Sequence, residues 1–207
     1  MIQVHHLNNS RSQRVLWCLE ELGLDFRIVP YQRDAKTMLA PPELKAVHPL
    51  GKSPVISDGA QVVAESGAIL EYLAERCGKL APARSTSEFE RYRYWMHYAE
   101  GSLMPQVLLK LYLGRVGDAG KAVLERVDAQ IQTHLDFIEQ SFSDTFIAGG
   151  DFTVADIQLS FPVEVAATQK LLGGHHSRTR EWLKRLHQRP AYQTALEKGG
   201  PYAYAND

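Results

Sequence analysis

"HPLGKSPVISDGAQVVAESGAILEYLAERCG", His48–Gly78, decides how the first part of this chain folds. Two short strand-like runs, "SPVISDG" and "QVVAE", flank Asp58-Gly59, a dipeptide that favours the left-handed backbone of a tight hairpin turn. "SGAILEYLAERCG" then reads as a helix, with Ser66 at its start and Gly78 just past its end. The stretch is therefore β-β-α. Towards the amino terminus, "MIQVHHL" and "DFRIVPY" are further strand-like runs. Between them Val15, Leu16, Leu19 and Leu22 fall at helical spacing, and Gly23 stops that helix. The predicted order is β-α-β, an irregular stretch, then β-β-α, over residues 1–77.

Residues 78–87 carry Gly, Pro and Ser without periodicity and read as a linker. Residues 88–207 read as all-helical. Phe89–Leu113 is predicted as one long helix, and Lys121–Phe142 as a second with Val123, Val127, Ile131, Leu135 and Ile138 on one face. A third begins at "DFTVADI", with Thr153 as cap, Asp156 three residues on, and Phe152 and Ile157 placed as a hydrophobic staple. Pro162 predicts a kink in it. Arg178–Gln188 and Ala191–Lys198 are two shorter helices. The fold class is α/β plus all-α, a mixed amino-terminal domain followed by a helical bundle.

The chain has 207 residues, enough for two small domains with real cores, and a formal net charge of −1. That charge gives no electrostatic reason to expect nucleic acid or an anionic membrane as partner. No apolar run approaches spanning length, and "MIQVHHL" lacks the basic start and long apolar stretch of a signal peptide, so a cytoplasmic protein is expected. Cys18 and Cys77 lie in helical patterns beside apolar neighbours, which predicts free, buried thiols.

Several motifs fail on their chemistry. "GKS", Gly51–Ser53, resembles the end of a phosphate-binding loop, but Ala46 stands where a glycine is needed and Pro54 where a helix should begin. His5-His6 and His175-His176 are adjacent pairs; neighbours on a strand point to opposite faces, so no shared metal is expected from either.

Three features survive. Ser10 meets a helix start, and Ser10 to Gln13 reads S-x-x-Q, a capping box. The same helix end, with Arg11 beside it, could instead stabilise an anion. In "HPLGKSPV" a turn leads into Ser53-Pro54, where a proline signals either a strand edge or a cis bond that exposes the preceding backbone. In "AESGAI" a strand ends at Glu65 and a helix starts at Ser66. Free N–H groups with a hydroxyl can hold a carboxylate there and Glu65 an ammonium, although Ser66 can equally be a plain cap and Glu65 a solvated charge.

Taken together, Ser10, "PLGKSPV", "AESGAI", the proline-bearing linker and the capped "FTVADI" helix make the chain resemble the cytosolic glutathione S-transferases, and among them a serine-type class found in fungi and bacteria. The resemblance implies a thioredoxin-like domain that binds glutathione and a helical domain that completes a pocket for a hydrophobic electrophilic small molecule. It implies transfer of the glutathione thiolate to that electrophile, with reduction of hydroperoxides as a related activity. Glutathione would be a co-substrate; no other cofactor and no metal is expected. A non-catalytic binding or regulatory module, or a scaffold dimer, is the alternative on the same fold. The absence of an appended domain speaks against a translation-factor subunit.

The resemblance also assigns roles. Ser10 would donate its hydroxyl hydrogen to the sulfur, favouring the thiolate; Ser12 is a second hydroxyl nearby, but Ser10 has the four-residue spacing to Arg14 seen in serine-type relatives. Ser53, ahead of Pro54, would pair its backbone with the cysteinyl residue. Lys52 would face the glycine carboxylate, and Glu65 with Ser66 the γ-glutamyl ammonium and carboxylate. Asn8, Leu108 and Tyr112, with Tyr202 or Tyr204, are the candidates for the second-substrate pocket. A twofold homodimer is expected.

Overall fold

The computed structural model describes residues 1–205, in two compact units, Met1–Ala81 with Leu186–Ala205, and Pro82–Arg185. The first unit follows the predicted order. β1 (Ile2–Leu7), α1 (Ser12–Leu22) and β2 (Phe26–Tyr31) form the β-α-β half, and β3 (Val55–Asp58), β4 (Gln61–Ala64) and α3 (Ser66–Cys77) the β-β-α half. The irregular stretch between them holds a single short turn of helix, α2 (Leu44–Val47), with Leu44 buried. The sheet runs β2-β1-β3-β4, with β1 parallel to β2 and the other pairs antiparallel. Gly23 ends α1 and Gly78 ends α3 in the left-handed conformation that glycine adopts without steric cost. The hairpin turns on Gly59, and Asp58 accepts from the Tyr72 hydroxyl at 2.8 Å and pairs with Arg76, fixing the hairpin to α3.

Residues 186–205 were expected in the helical domain, but they cluster with the sheet. The reason lies on α1. α9 (Pro190–Gly199) sets Tyr192 edge-on against Trp17 at 5.0 Å, with both rings buried. Arg189 makes a bidentate pair with Glu21 at 2.5 and 2.8 Å, and Lys198 reaches Glu20 at 2.5 Å. The predicted domain 88–207 also included residues 206 and 207, which lie outside the described residues.

In the second unit the expected single helix over 89–113 is interrupted. α4 (Ser87–Tyr98) passes through one wide π turn, Ala99–Leu103, before α5 (Met104–Leu113). Pro105 supplies the cause: it has no N–H to give to the carbonyl of Gly101, and its ring would crowd that carbonyl in a regular α turn. α6 (Lys121–Ser141) buries Val127, Ile131, Leu135 and Ile138 as the periodicity predicted, while Val123 is exposed. α7 (Val154–Thr168) runs unbroken across Pro162, and α8 is Ser177–His187.

α7 carries both halves of its capping box. The Thr153 hydroxyl accepts from the Ala155 N–H, and the wholly buried Asp156 carboxylate accepts from the Thr153 N–H and hydroxyl, the Ile147 N–H and the Trp182 indole at 2.9–3.2 Å. Burial raises the Asp156 pKa, and these donors work against that rise. No helix among the described residues is long and apolar enough to cross a membrane.

Candidate functional site

The register of the sheet gathers the predicted residues at one end. His5 pairs with Val55, and Val55 with Ala64, so these three form a row across β1, β3 and β4. Neighbouring strands lie about 4.8 Å apart. Just beyond that row β1 runs into the loop with Asn8 and Ser10, Pro54, Ser53 and Lys52 precede β3, and Glu65 and Ser66 follow β4. Antiparallel pairing makes the start of one strand the neighbour of its partner's end, which is why residues more than 40 positions apart meet.

The Ser53-Pro54 peptide is cis, and Pro54 is buried. The Ser53 hydroxyl donates to the His5 carbonyl at 2.8 Å, so this side chain ties the loop to β1. Lys52 is exposed, beside Gly51 in its left-handed conformation. Glu65 is exposed and holds a φ of 71°, which a residue with a Cβ adopts only under constraint from its surroundings. It precedes α3 as the N-cap residue, and no side chain caps that helix. Ser66 is buried and accepts from the buried Arg14 guanidinium at 3.1 Å, so α1 positions the first residue of α3.

At Ser10 the expected capping box is only half formed. Its Oγ accepts the Ser12 N–H at 3.1 Å, but Gln13 makes no return bond. The Gln13 side chain lies instead against Gly199, where an added Cβ would stand 2.6 Å from its Oε1. Ser12 is the more deeply embedded hydroxyl. Its Oγ accepts the Leu7 N–H at 3.2 Å and lies 2.8 Å from both Ser10 Oγ and His6 Nδ1. His5 and His6 do face opposite sides of β1: His5 meets Tyr31 and Ser57, and His6 meets Ser12 and the Gly199 carbonyl.

The pocket candidates divide between the units. Asn8 is half-buried after β1; Leu108 is half-buried on α5, and Tyr112, on the same helix, is 56 % exposed with the Arg115 guanidinium 5.9 Å from its ring centre. Tyr202 and Tyr204 stack edge-on at 5.4 Å. Both cysteines are free; Cys18 is buried, which pushes its thiol pKa up, and Cys77 is half-buried rather than buried as expected.

His175 and His176 depart from the sequence reading. They lie in a turn ahead of α8, not on a strand, and both rings reach the same Asp136 oxygen at 2.9 Å. Their hydrogen bonds hold that carboxyl below the usual range. The three ligand atoms lie within 4.8 Å of one another, a spacing a metal could use. The tautomer opposes it. His176 Nδ1 accepts the Gly173 N–H at 2.9 Å, so the ring hydrogen sits on Nε2 and points at Asp136. Metal at Nε2 would send that hydrogen to Nδ1, against the Gly173 N–H. The cluster is a hydrogen-bonded clamp between α6 and the turn.

Sequence reasoning gave three contributors no role: His6, Ser12, noted only as a second hydroxyl, and Arg14, noted only for its spacing from Ser10. The only local signal was a run of polar residues, Ser12–Arg14, on the buried side of an otherwise apolar helix start.

With this geometry in hand, comparison with known proteins is specific. Residues 10–76 match the glutathione S-transferase N-terminal domain, and residues 95–190 the glutathione S-transferase C-terminal domain. Glutathione S-transferase 3 of Schizosaccharomyces pombe is 34% identical, over 96% of this chain and 88% of its own. Glutathione S-transferase 1 of Saccharomyces cerevisiae is 30% identical, over 96% and 95%. The crystal structure of a glutathione S-transferase from Actinobacillus pleuropneumoniae superposes with a TM-score of 0.88 at 35% identity, covering 100% of this chain and 97% of that one. With both halves matched and relatives of this likeness along its whole length, the chain belongs to the glutathione S-transferase family.

Proposed function

We propose that this chain is a glutathione transferase that binds reduced glutathione at the end of the sheet, holds its sulfur as thiolate and adds it to an electrophilic small molecule. The observation that carries the reading is the convergence, at that one end, of a helix-start hydroxyl (Ser10), the cis Ser53-Pro54 peptide and the uncapped start of α3 between Glu65 and Ser66. The relatives named as glutathione S-transferases support it.

Each part has a chemical task. The cysteinyl residue of glutathione pairs strand-fashion with the Ser53 backbone, whose hydroxyl is already engaged by His5. The γ-glutamyl carboxylate rests on the free N–H groups of α3 and on Ser66, and the ammonium on Glu65. Lys52 takes the glycine carboxylate. The thiol, with a pKa near about 8.5 in water, is only a few per cent ionised at neutral pH. A hydrogen bond from Ser10 and the positive end of α1 favour the charged form. The same thiolate can reduce a hydroperoxide. Asn8, Leu108 and Tyr112 are proposed to receive the electrophile. The protein is proposed to act in the cytoplasm as a homodimer.

Ser10→Ala tests the reading. It should bind glutathione almost normally, yet turnover at neutral pH should fall by about 10²-fold and recover in part as rising pH ionises the thiol unaided. The absorbance of bound thiolate against pH decides: titration curves identical to wild type would leave Ser10 a helix cap only.

A further inference from the structure

The hydrogens around Ser10 can be placed from their partners, because a carbonyl only accepts. His6 Nε2 lies 3.0 Å from the Gly199 carbonyl oxygen and therefore carries the ring hydrogen. Burial disfavours the charged imidazole, the Gly199 carbonyl favours it, and the net effect lowers the His6 pKa. Nδ1 is thus a bare lone pair with no other donor beside it, and Ser12 Oγ donates to it at 2.8 Å in preference to the Leu7 carbonyl, a second acceptor at 3.1 Å. With its single hydrogen spent there, Ser12 can only accept from Ser10, 2.8 Å away. The resting chain is directed: Ser10 to Ser12 to His6, with His6 held by Gly199. The Ser10 hydrogen thus points inward, away from any sulfur, which the sequence reading did not foresee.

Resting on the assignment of Ser10 as the group beside the sulfur, we infer that Ser12 and His6 are positioning residues which carry the thiol proton of glutathione inward and so turn the Ser10 hydrogen towards the sulfur. The thiol S–H bond breaks and an O–H bond forms on Ser10. The Ser10 proton passes to Ser12, and the Ser12 proton to His6 Nδ1, where an N–H bond forms. Nothing is oxidised or reduced; thiol and imidazole become thiolate and imidazolium. All three links then run outward, from His6 Nδ1–H to Ser12, from Ser12 to Ser10, and from Ser10 to the sulfur. The backbone bonds from Leu7 to Ser12 Oγ and from Ser12 to Ser10 Oγ are untouched by the reversal. The groups against the ring, Ser12 of α1, the Gly199 carbonyl of α9 and Gln13 beside Gly199, are uncharged, so the new thiolate is the counter-charge the chain itself supplies. Once the thioether has formed, the proton returns to solvent by the same path.

Nitrogen NMR of the His6 ring in the wild-type protein reads the step directly. Reduced glutathione should convert a neutral ring, protonated at Nε2, to imidazolium, whereas S-methylglutathione, which has no thiol proton, should leave it neutral. A ring that stays neutral while bound glutathione absorbs as thiolate overturns the relay. Ser12→Ala and His6→Gln should each hold roughly tenfold less bound thiolate at neutral pH with unchanged glutathione affinity, and Ser12→Thr should restore it. Wild-type thiolate titration in folded Ser12→Ala overturns the relay as well. If Ser10→Ala shifts the titration while neither inner variant does, the relay fails and the role of Ser10 stands. If Ser10→Ala shifts nothing, the role of Ser10 fails first.

Discussion

Two helix starts in this chain carry the same kind of sequence, Ser10-x-x-Gln13 before α1 and Thr153-x-x-Asp156 before α7, and they fold into opposite things. At α7 the box closes, and the carboxylate collects donors from its own cap, from Ile147 and from Trp182. Every hydrogen in that network has one place to go. At α1 the box stays open, because Gln13 is held against α9 and Ser10 bonds to a second hydroxyl instead. There the Ser12 hydrogen has three acceptors within reach, His6 Nδ1, the Leu7 carbonyl and Ser10, and the network can reverse its direction. A saturated network serves the fold; a reversible one can serve chemistry.

The largest effect should come from breaking the closed network. Asp156→Ala leaves the buried N–H groups of Ile147, Thr153 and Trp182 without their acceptor, and unfolding free energy should fall by about 3–5 kcal/mol. Denaturant unfolding measures it. A loss under about 1 kcal/mol would mean that water replaces the carboxylate and that the network is not a stability element.

A third helix start, at α3, stands between these cases: no side chain caps it, and Glu65 is exposed at its entrance. Glu65→Ala should weaken glutathione binding by about 1.5–3 kcal/mol with little change in folding, since the contact proposed for it is a charge-assisted bond to ligand. Calorimetric titration showing unchanged affinity in the folded variant would remove Glu65 from the site.

How much of this contrast could be read in advance depends on the distance between the residues involved. Gly23, Gly78 and Asp58-Gly59 act on their own turns, so the β-α-β and β-β-α order was legible. Thr153 and Asp156 are three residues apart, and that cap was legible too. The serine, proline and glutamate of the candidate site were visible as motifs, because each sits at the mouth of its own element. His6 was not, since its partner Gly199 lies 193 residues away. The same holds for α9, whose attachment to α1 rests on pairs such as Arg189 with Glu21, 168 residues apart. The π turn was missed because Pro105 acts on the carbonyl four residues back, where the apolar pattern does not change.

The histidines offer a comparison by pH. Burial depresses the pKa of His5 and His6 in the first unit and of His134, bonded to Tyr98 at 2.6 Å, in the second. An unfolded histidine takes up a proton near about pH 6.5, while these folded ones resist it. Their stabilising contribution is therefore complete above that pH and is lost as pH falls through and below it. Asp136 and Glu139 are held below the usual carboxylate range, so their contribution is lost only at more acidic pH. Melting temperature should decline between about pH 7.5 and about pH 5.5, and His134→Gln should flatten part of that decline. A flat profile in the wild type would mean that the three rings charge freely in the folded state.

The smallest effect sharpens the comparison most, because the two boxes predict different signs for it. If Gln13 completed a cap as Asp156 does, replacing it would cost about 1 kcal/mol. In the structure its buried Nε2 finds no acceptor, so the amide bears a desolvation cost with nothing returned. Gln13→Met keeps the length of the side chain and its place against Gly199 while removing that polar group. Unfolding free energy should then stay level or rise by up to about 1 kcal/mol, and the thiolate titration should remain that of wild type. Chemical denaturation of the two proteins side by side is sufficient. A clear loss of stability in Gln13→Met would show that the α1 box closes after all, and the distinction between the two helix starts would go with it.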